Sequence, residues 1–217
     1  MILALVGAVC AAAQEQQQPP SDIVPPTSKY EELAPLPDWG TRGADFGRGL
    51  VGMPAITGTI PSAAYDEVTN FPHEWKRNAP AIGKRVGSEY GQFVTRSGIE
   101  FGVAAWHHED LRYYRMPGGT FRERLGHVIA FTFVVRNSDG TGSTAALGSL
   151  AGAYGSWAIA QTWEPKSATG VGNFFYWGSA NLLTRALANT VREFWPDAKR
   201  KLFAKSHGGV SASRLAN

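Results

Sequence analysis

Ten consecutive residues, Trp106-His107-His108-Glu109-Asp110-Leu111-Arg112-Tyr113-Tyr114-Arg115, put two imidazoles, two carboxyls and two guanidiniums side by side. Metal ligands and general acid–base pairs are drawn from such groups. The spacing argues against a shared ion. Neighbouring residues on a helix project about 100° apart, so His107 and His108 do not converge as an i, i+4 pair does. No second His/Glu cluster at metal-ligand spacing occurs elsewhere in the chain, and the residues imply neither a metal nor another cofactor. The structural reading is the stronger one: a helix end whose histidines sit at the negative pole of the helix dipole, with Asp110 and Arg112 paired to other segments. In the catalytic alternative, His108, Glu109, Asp110, Arg112 and Arg115 carry a hydrolase site or hold a lipid or an anion.

Other polar residues read as structural. His127 stands beside Val128 and Ile129 on the apolar face of its segment, the setting of a satisfied core histidine. Arg136 precedes Asn137-Ser138-Asp139-Gly140, and Arg192-Glu193-Phe194-Trp195-Pro196-Asp197 precedes a basic stretch. Both resemble corners where a buried arginine pairs with carboxylates. Neither the Gly-x-Ser-x-Gly elbow of serine hydrolases nor a phosphate loop is present, and Gly83-Lys84-Arg85 lacks the hydroxyl that such a loop needs.

Whatever positions these residues is helical by pattern. Ala81 to His108 carries Val86, Tyr90, Phe93, Val94, Phe101 and Ala104 at three- and four-residue spacing. Gly83, Gly87 and Gly91 recur every four residues, followed by Gly98 and Gly102, which would let a neighbouring helix backbone come close. Pro117-Gly118-Gly119 breaks the chain, and Thr120 with Glu123 spells a capping box opening a helix from Phe121 to Val135. Gly140 to Trp163 contains no charge and is studded with Ala145, Gly148, Gly152, Gly155 and Ser156. It has the length to cross a bilayer but is rich in Ser, Thr and Gly. A last helix runs from Val171 to Trp195, ended by Pro196, and Arg185 in its middle argues against a span there. Two short helices between Phe46 and Val68 and a turn over Asn70 to Trp75 complete the domain. The expected fold is all-α, a glycine-rich bundle of about four main helices with short extra ones.

The ends suggest export. Ile2 to Ala13 is a short apolar run closing on three alanines, after which the chain turns polar, as at the cleavage site of a secretory signal. The expected organisation is a signal peptide over 1–13, a disordered Pro/Gln-rich linker over 14–40, the helical domain over 41–205 and a disordered tail over 206–217. Cys10, the single cysteine, falls within the signal, so a processed chain would lack disulfides and thiol chemistry. The charge of +3 and pI near 9.1 are only mildly basic, with Lys199-Arg200-Lys201 and Lys205 clustered near the end. Without a helix-turn-helix or finger pattern, nucleic acid is not an expected partner.

The chain resembles a family of uncharacterised exported, helical bacterial envelope proteins. The resemblance rests on Arg85 to Gly91, on His108 to Arg115, on Thr132 to Asp139 and on Glu193-Phe194-Trp195-Pro196-Asp197. Members read Asp-Pro-Arg-Tyr where this chain has Asp110-Leu111-Arg112-Tyr113, so the local turn is expected to differ. The resemblance implies location and architecture without an activity: a structural or interaction component, periplasmic or on an outer-envelope membrane. Membrane lipid or an envelope protein is the expected partner, with homo-oligomers forming through glycine-lined helices.

Overall fold

The computed structural model describes residues 37–116, 118–139 and 142–207, the side chains of 202–207 excepted. The expected signal segment 1–13, most of the expected linker (14–36) and most of the tail (208–217) lie outside the described residues. Six α-helices dominate: α1 Trp39–Val51, α2 Met53–Thr69, α3 Ala79–Trp106, α4 Phe121–Phe133, α5 Leu147–Ala160 and α6 Val171–His207. The expected helical bundle is the observed fold.

Local chemistry sets the helix starts. The Asp38 carboxylate takes the Thr41 amide at 3.0 Å and the Thr41 hydroxyl at 2.7 Å, capping α1. Asn78 caps α3 by accepting from the Ala81 amide at 2.9 Å. Thr120 and Glu123 form both halves of the capping box at α4. At the end of α2, Asn70 adopts φ 54° and turns the chain toward a short 3-10 turn at His73–Trp75.

Helix α3 is the spine of the bundle. It packs most extensively on α5 and then on α2, while α6 lies against α5 and α4. Close approach occurs where α5 presents its glycines to α3. A β-carbon on Gly148 would lie 2.9 Å from the Glu100 carbonyl, and one on Gly152 would lie 3.1 Å from that of Arg96. The glycines of α3 itself behave otherwise: Gly83, Gly87, Gly98 and Gly102 have nothing within 4 Å, and Gly91 meets only the Trp163 ring. At about 100° per residue they fall on the side of α3 away from Arg85, Arg96, Glu100 and Ala104, which face the bundle. Between α3 and α5, the small-residue face that seats the neighbouring helix is therefore that of α5.

Three details depart from the sequence reading. The helix expected to reach Val135 stops at Phe133, because Val134–Asn137 forms β2, flanked by β1 (Glu109–Asp110) and β3 (Ser143–Ala145) in a small antiparallel sheet of order β1-β2-β3. β-Branched Val134 and Val135 suit this ladder, and the turn after Asn137 returns the chain so that Val135 pairs with Thr144. The uncharged stretch consequently begins as a strand, and its helix starts only at Leu147. Finally, α6 does not end at Pro196 but continues to His207. Proline cannot supply an amide hydrogen to the turn before it. The amide it lacks would have served the Arg192 carbonyl four residues back; the next carbonyl, that of Glu193, accepts from two guanidiniums, Arg115 Nε at 3.0 Å and Arg124 Nη2 at 2.5 Å.

The interior is small and polar. Its buried apolar members are largely alanines, Ala55, Ala63, Ala81, Ala104, Ala153 and Ala160 among them, with Val128, Val135 and Trp157. Arg85, Glu109 and Glu193 are fully buried beside them. Many large apolar side chains face outward instead, including Val51, Ile56, Ile60, Val68, Phe175 and Leu183. Among the described residues no helix is long and apolar enough to cross a membrane.

Candidate functional site

The polar segment after α3 is extended, and extension decides what its residues do. His108 takes φ 55°, its carbonyl accepts the Ser138 amide at 2.7 Å, and β1 then pairs Glu109 with Asn137 and Asp110 with Arg136. From there successive side chains point to alternate sides. Asp110, Arg112 and Tyr114 meet on one side. Arg112 Nε and Nη2 grip the Asp110 carboxylate at 3.0 and 2.8 Å, and the Tyr114 hydroxyl donates to it as well. Burial alone would raise the pKa of Asp110, but these bonds outweigh it and hold the carboxyl below its ordinary value.

On the other side, Tyr113 and Arg115 reach α6. The Tyr113 hydroxyl donates to Glu193 Oε2 at 2.8 Å, as does the Met116 amide at 3.1 Å. Arg124 from α4 completes the hub, its Nε 2.7 Å from Glu193 Oε1 and its Nη1 2.6 Å from Asp197. Asp197 also receives Arg115 at 2.9 Å and, one turn on, Arg200. Bonds from Arg124 and Arg200 hold the Asp197 carboxyl well below the usual carboxylate range. Burial and the bond to Glu193 raise the Tyr113 phenol, and burial and the bond to Asp110 raise that of Tyr114. Neither phenol is poised to give up a proton near neutral pH.

The residues singled out from sequence therefore do not converge. His108 is exposed. Glu109 turns inward, where both its oxygens lie 3.1 Å from the Gly148 amide and His107 Nδ1 lies 3.0 Å from Oε1. It acts as a cap supplied from a distance, since Ala146 at the start of α5 has no side chain to offer. Asp110 and Arg112 pair with each other, and Arg115 joins α6. His127 Nε2 lies 2.8 Å from the Tyr114 carbonyl, with its ring beside Tyr113 and Phe131. No group of three or more His, Cys, Asp or Glu side chains among the described residues is arranged to hold a metal ion.

A second polar centre escaped the sequence reading. Asp66 of α2, Glu89 of α3 and Glu164 after α5 approach one another beside Arg85. Ser88 is their junction: its hydroxyl donates to Glu164 and accepts from Trp163 Nε1 at 2.9 Å. Arg85 is fully buried, 2.5 Å from Glu67, and donates to the Phe71 carbonyl at 2.8 Å. Burial and Glu164 push Asp66 up to about 7; burial and Asp66 push Glu89 up to about 8. The available signal was the stripe Ala55, Thr59, Ala63, Asp66, a buried helix face that closes on a carboxyl.

No protein-family model, curated protein or solved structure matches this chain.

Proposed function

We propose that this protein is an exported structural or interaction component of the bacterial envelope, held at a membrane or on an envelope protein by its outer surface. One observation carries the reading: small and polar side chains fill the interior, while Val51, Ile56, Ile60, Val68, Phe175 and Leu183 lie exposed. Large apolar residues exposed in a contiguous patch mark a surface that works covered, and Ile56 and Ile60 stand one turn apart on α2. The exposed Lys199, Arg200 and Lys201 near the end of α6 would favour an anionic surface. The open glycine face of α3 leaves room for a helix of a second copy or of another envelope protein.

The segment at 107–115 supports the same reading. Its carboxylates are bonded by the Arg112 guanidinium, the Gly148 amide and the Tyr114 phenol, so it serves as the clasp between α3, α5 and α6. A hydrolase or a lipid- or anion-binding site built on His108, Glu109, Asp110, Arg112 and Arg115 has less support, because the last four are spent on one another and on the helices while His108 stands apart, exposed. Fractionation of the tagged, full-length protein in a bacterial host tests the proposal. The expected result is recovery with the envelope and release by carbonate or high salt; recovery in the cytosolic fraction overturns it.

A further inference from the structure

Where the end of α2 meets the start of α6, a cavity of about 250 Å3 opens to solvent. Its walls are aromatic, and no Asp, Glu, Lys or Arg side chain lines it. Phe71 and Trp177 lie 5.7 Å apart, half-buried, and Trp177 is backed by Trp157 at 5.6 Å. Tyr65 and Tyr176 stand more open, 46 % and 62 % exposed, and neither hydroxyl has a hydrogen-bond partner among the described residues.

The polar groups in the lining are the Tyr65 and Tyr176 hydroxyls, which both donate and accept, with Thr69, Asn173 and His73. Both donors of the Asn173 amide are occupied, at 3.0 Å from the Ser167 and Thr169 carbonyls, which leaves its Oδ1 open. His73 Nδ1 lies 2.7 Å from the Asn70 carbonyl. A carbonyl only accepts, so Nδ1 donates to it and Nε2 is the ring nitrogen left for a ligand.

We propose that this cavity binds a single neutral pyranose ring of a saccharide, its apolar C–H face stacked on the aromatic walls and its hydroxyls bonding Asn173 Oδ1, His73 Nε2 and the Tyr65 and Tyr176 hydroxyls. Electron-rich ring faces attract the weakly positive C–H face of a sugar, as they attract aromatic edges. Ring hydroxyls both donate and accept, so they match the Asn173 acceptor and the open phenols alike. A phosphate or carboxylate would meet no lysine or arginine there and would face the Asn173 Oδ1 acceptor. A quaternary ammonium is drawn to the same ring faces but leaves the polar groups of the lining unmatched, and a primary ammonium would find no carboxylate in the lining. The volume falls below the ~300 Å3 lower bound for sites of drug-sized ligands, which suits one ring better than a chain.

The inference stands on the cavity alone and does not depend on where the protein resides. Saturation-transfer NMR on the full-length protein tests it, using N-acetylglucosamine, methyl β-D-glucopyranoside and methyl α-D-mannopyranoside, with choline and ethanolamine as competing probes. At least one pyranoside is expected to receive saturation on its ring protons. Tyr176→Ala and, separately, His73→Phe should weaken it roughly two- to tenfold, the worth of one aromatic or polar contact, with the helical circular dichroism unchanged. Both positions are exposed, and each variant serves if the other fails to fold. Absence of transfer to all three sugars overturns the proposal, as does transfer that persists undiminished in the folded variants, or binding of choline or ethanolamine in place of the sugars.

Discussion

Arg124 of α4 clasps Glu193 of α6 twice, its Nε 2.7 Å from the side-chain carboxylate and its Nη2 2.5 Å from the main-chain carbonyl. The carboxylate is fully buried, and the guanidinium is 13 % exposed. Removing one partner of such a pair leaves an uncompensated charge inside the protein, which costs about 3–5 kcal/mol. Arg124→Met is therefore expected to lower the unfolding free energy by that amount, read as a lower urea midpoint at an unchanged slope. Adding Glu193→Gln should recover part of the loss, because glutamine removes the stranded charge while still accepting from Tyr113 and Met116. A double variant no more stable than Arg124→Met would show that charge burial is not what the pair governs.

Two glycines at helix positions should respond with opposite signs to alanine. A β-carbon on Gly148 would sit 2.9 Å from the Glu100 carbonyl, 3.0 Å from the Glu109 carboxylate and 3.1 Å from the Ala104 methyl. Backbone cannot yield as a flexible side chain does, so Gly148→Ala should cost about 1–3 kcal/mol. Gly87 meets nothing within 4 Å, and Gly87→Ala should gain about 0.5–1 kcal/mol from helix propensity alone. Thermal melts of the two variants beside the parent read both signs.

That contrast also marks what sequence carries. Periodicity, breaks and caps located the helices: the Thr120/Glu123 box, the Pro117-Gly118-Gly119 break and the amphipathic run after Ala81 all have counterparts in the fold. Equal glycine spacing in α3 and α5 did not reveal which face would be covered, since close approach depends on the partner helix as well. Pro196 read as a stop because local rules count only the missing amide, whereas Arg115 and Arg124, 81 and 72 residues earlier in the chain, bond the carbonyl of Glu193. Likewise, residues 107–115 looked like one site because they adjoin in sequence. Extension sends neighbours to opposite sides, a fact that composition does not contain.

His108 and Asp110 stand two residues apart and should part company on substitution. The His108 side chain is exposed while its backbone sits at φ 55°, a conformation that costs an L-residue about 1–2 kcal/mol and glycine almost nothing. After glycine's greater freedom in the unfolded chain is set against this, His108→Gly should hold or raise stability by up to about 1 kcal/mol. Asp110 is buried under Arg112 and Tyr114, and hydrogen bonds to a charged group contribute about 1.5–3 kcal/mol. Asp110→Ala should lose at least that much. Equal loss in both variants would contradict the division of this segment into an exposed turn and a buried anchor.

Stability should fall between mildly acid and mildly alkaline pH, against the usual behaviour of carboxylates. Asp66 faces Glu164, Arg85 and Glu89, while Glu89 faces Asp66, Glu164, Arg96 and the Ser62 hydroxyl. Their folded values are about 7 and about 8, against ordinary values of 3.8 and 4.5. Between those limits the folded protein holds protons that the unfolded chain has released. Deprotonation then favours unfolding, by at most ~1.4 kcal/mol per pH unit for each carboxyl. The stabilisation is complete below about pH 4 and is lost as pH rises through 7 and 8. Asp197 and Asp110, whose values are depressed, act oppositely: their contribution is present above about pH 4 and is lost as pH falls below it. The two effects together place the stability maximum on the acid side of neutrality. Urea unfolding at pH 5, 6, 7 and 8 should show a declining midpoint, and Asp66→Asn, which removes one titrating group and relieves Glu89, should flatten the decline. A midpoint that rises across this range would mean that these carboxyls are ionised in the folded protein.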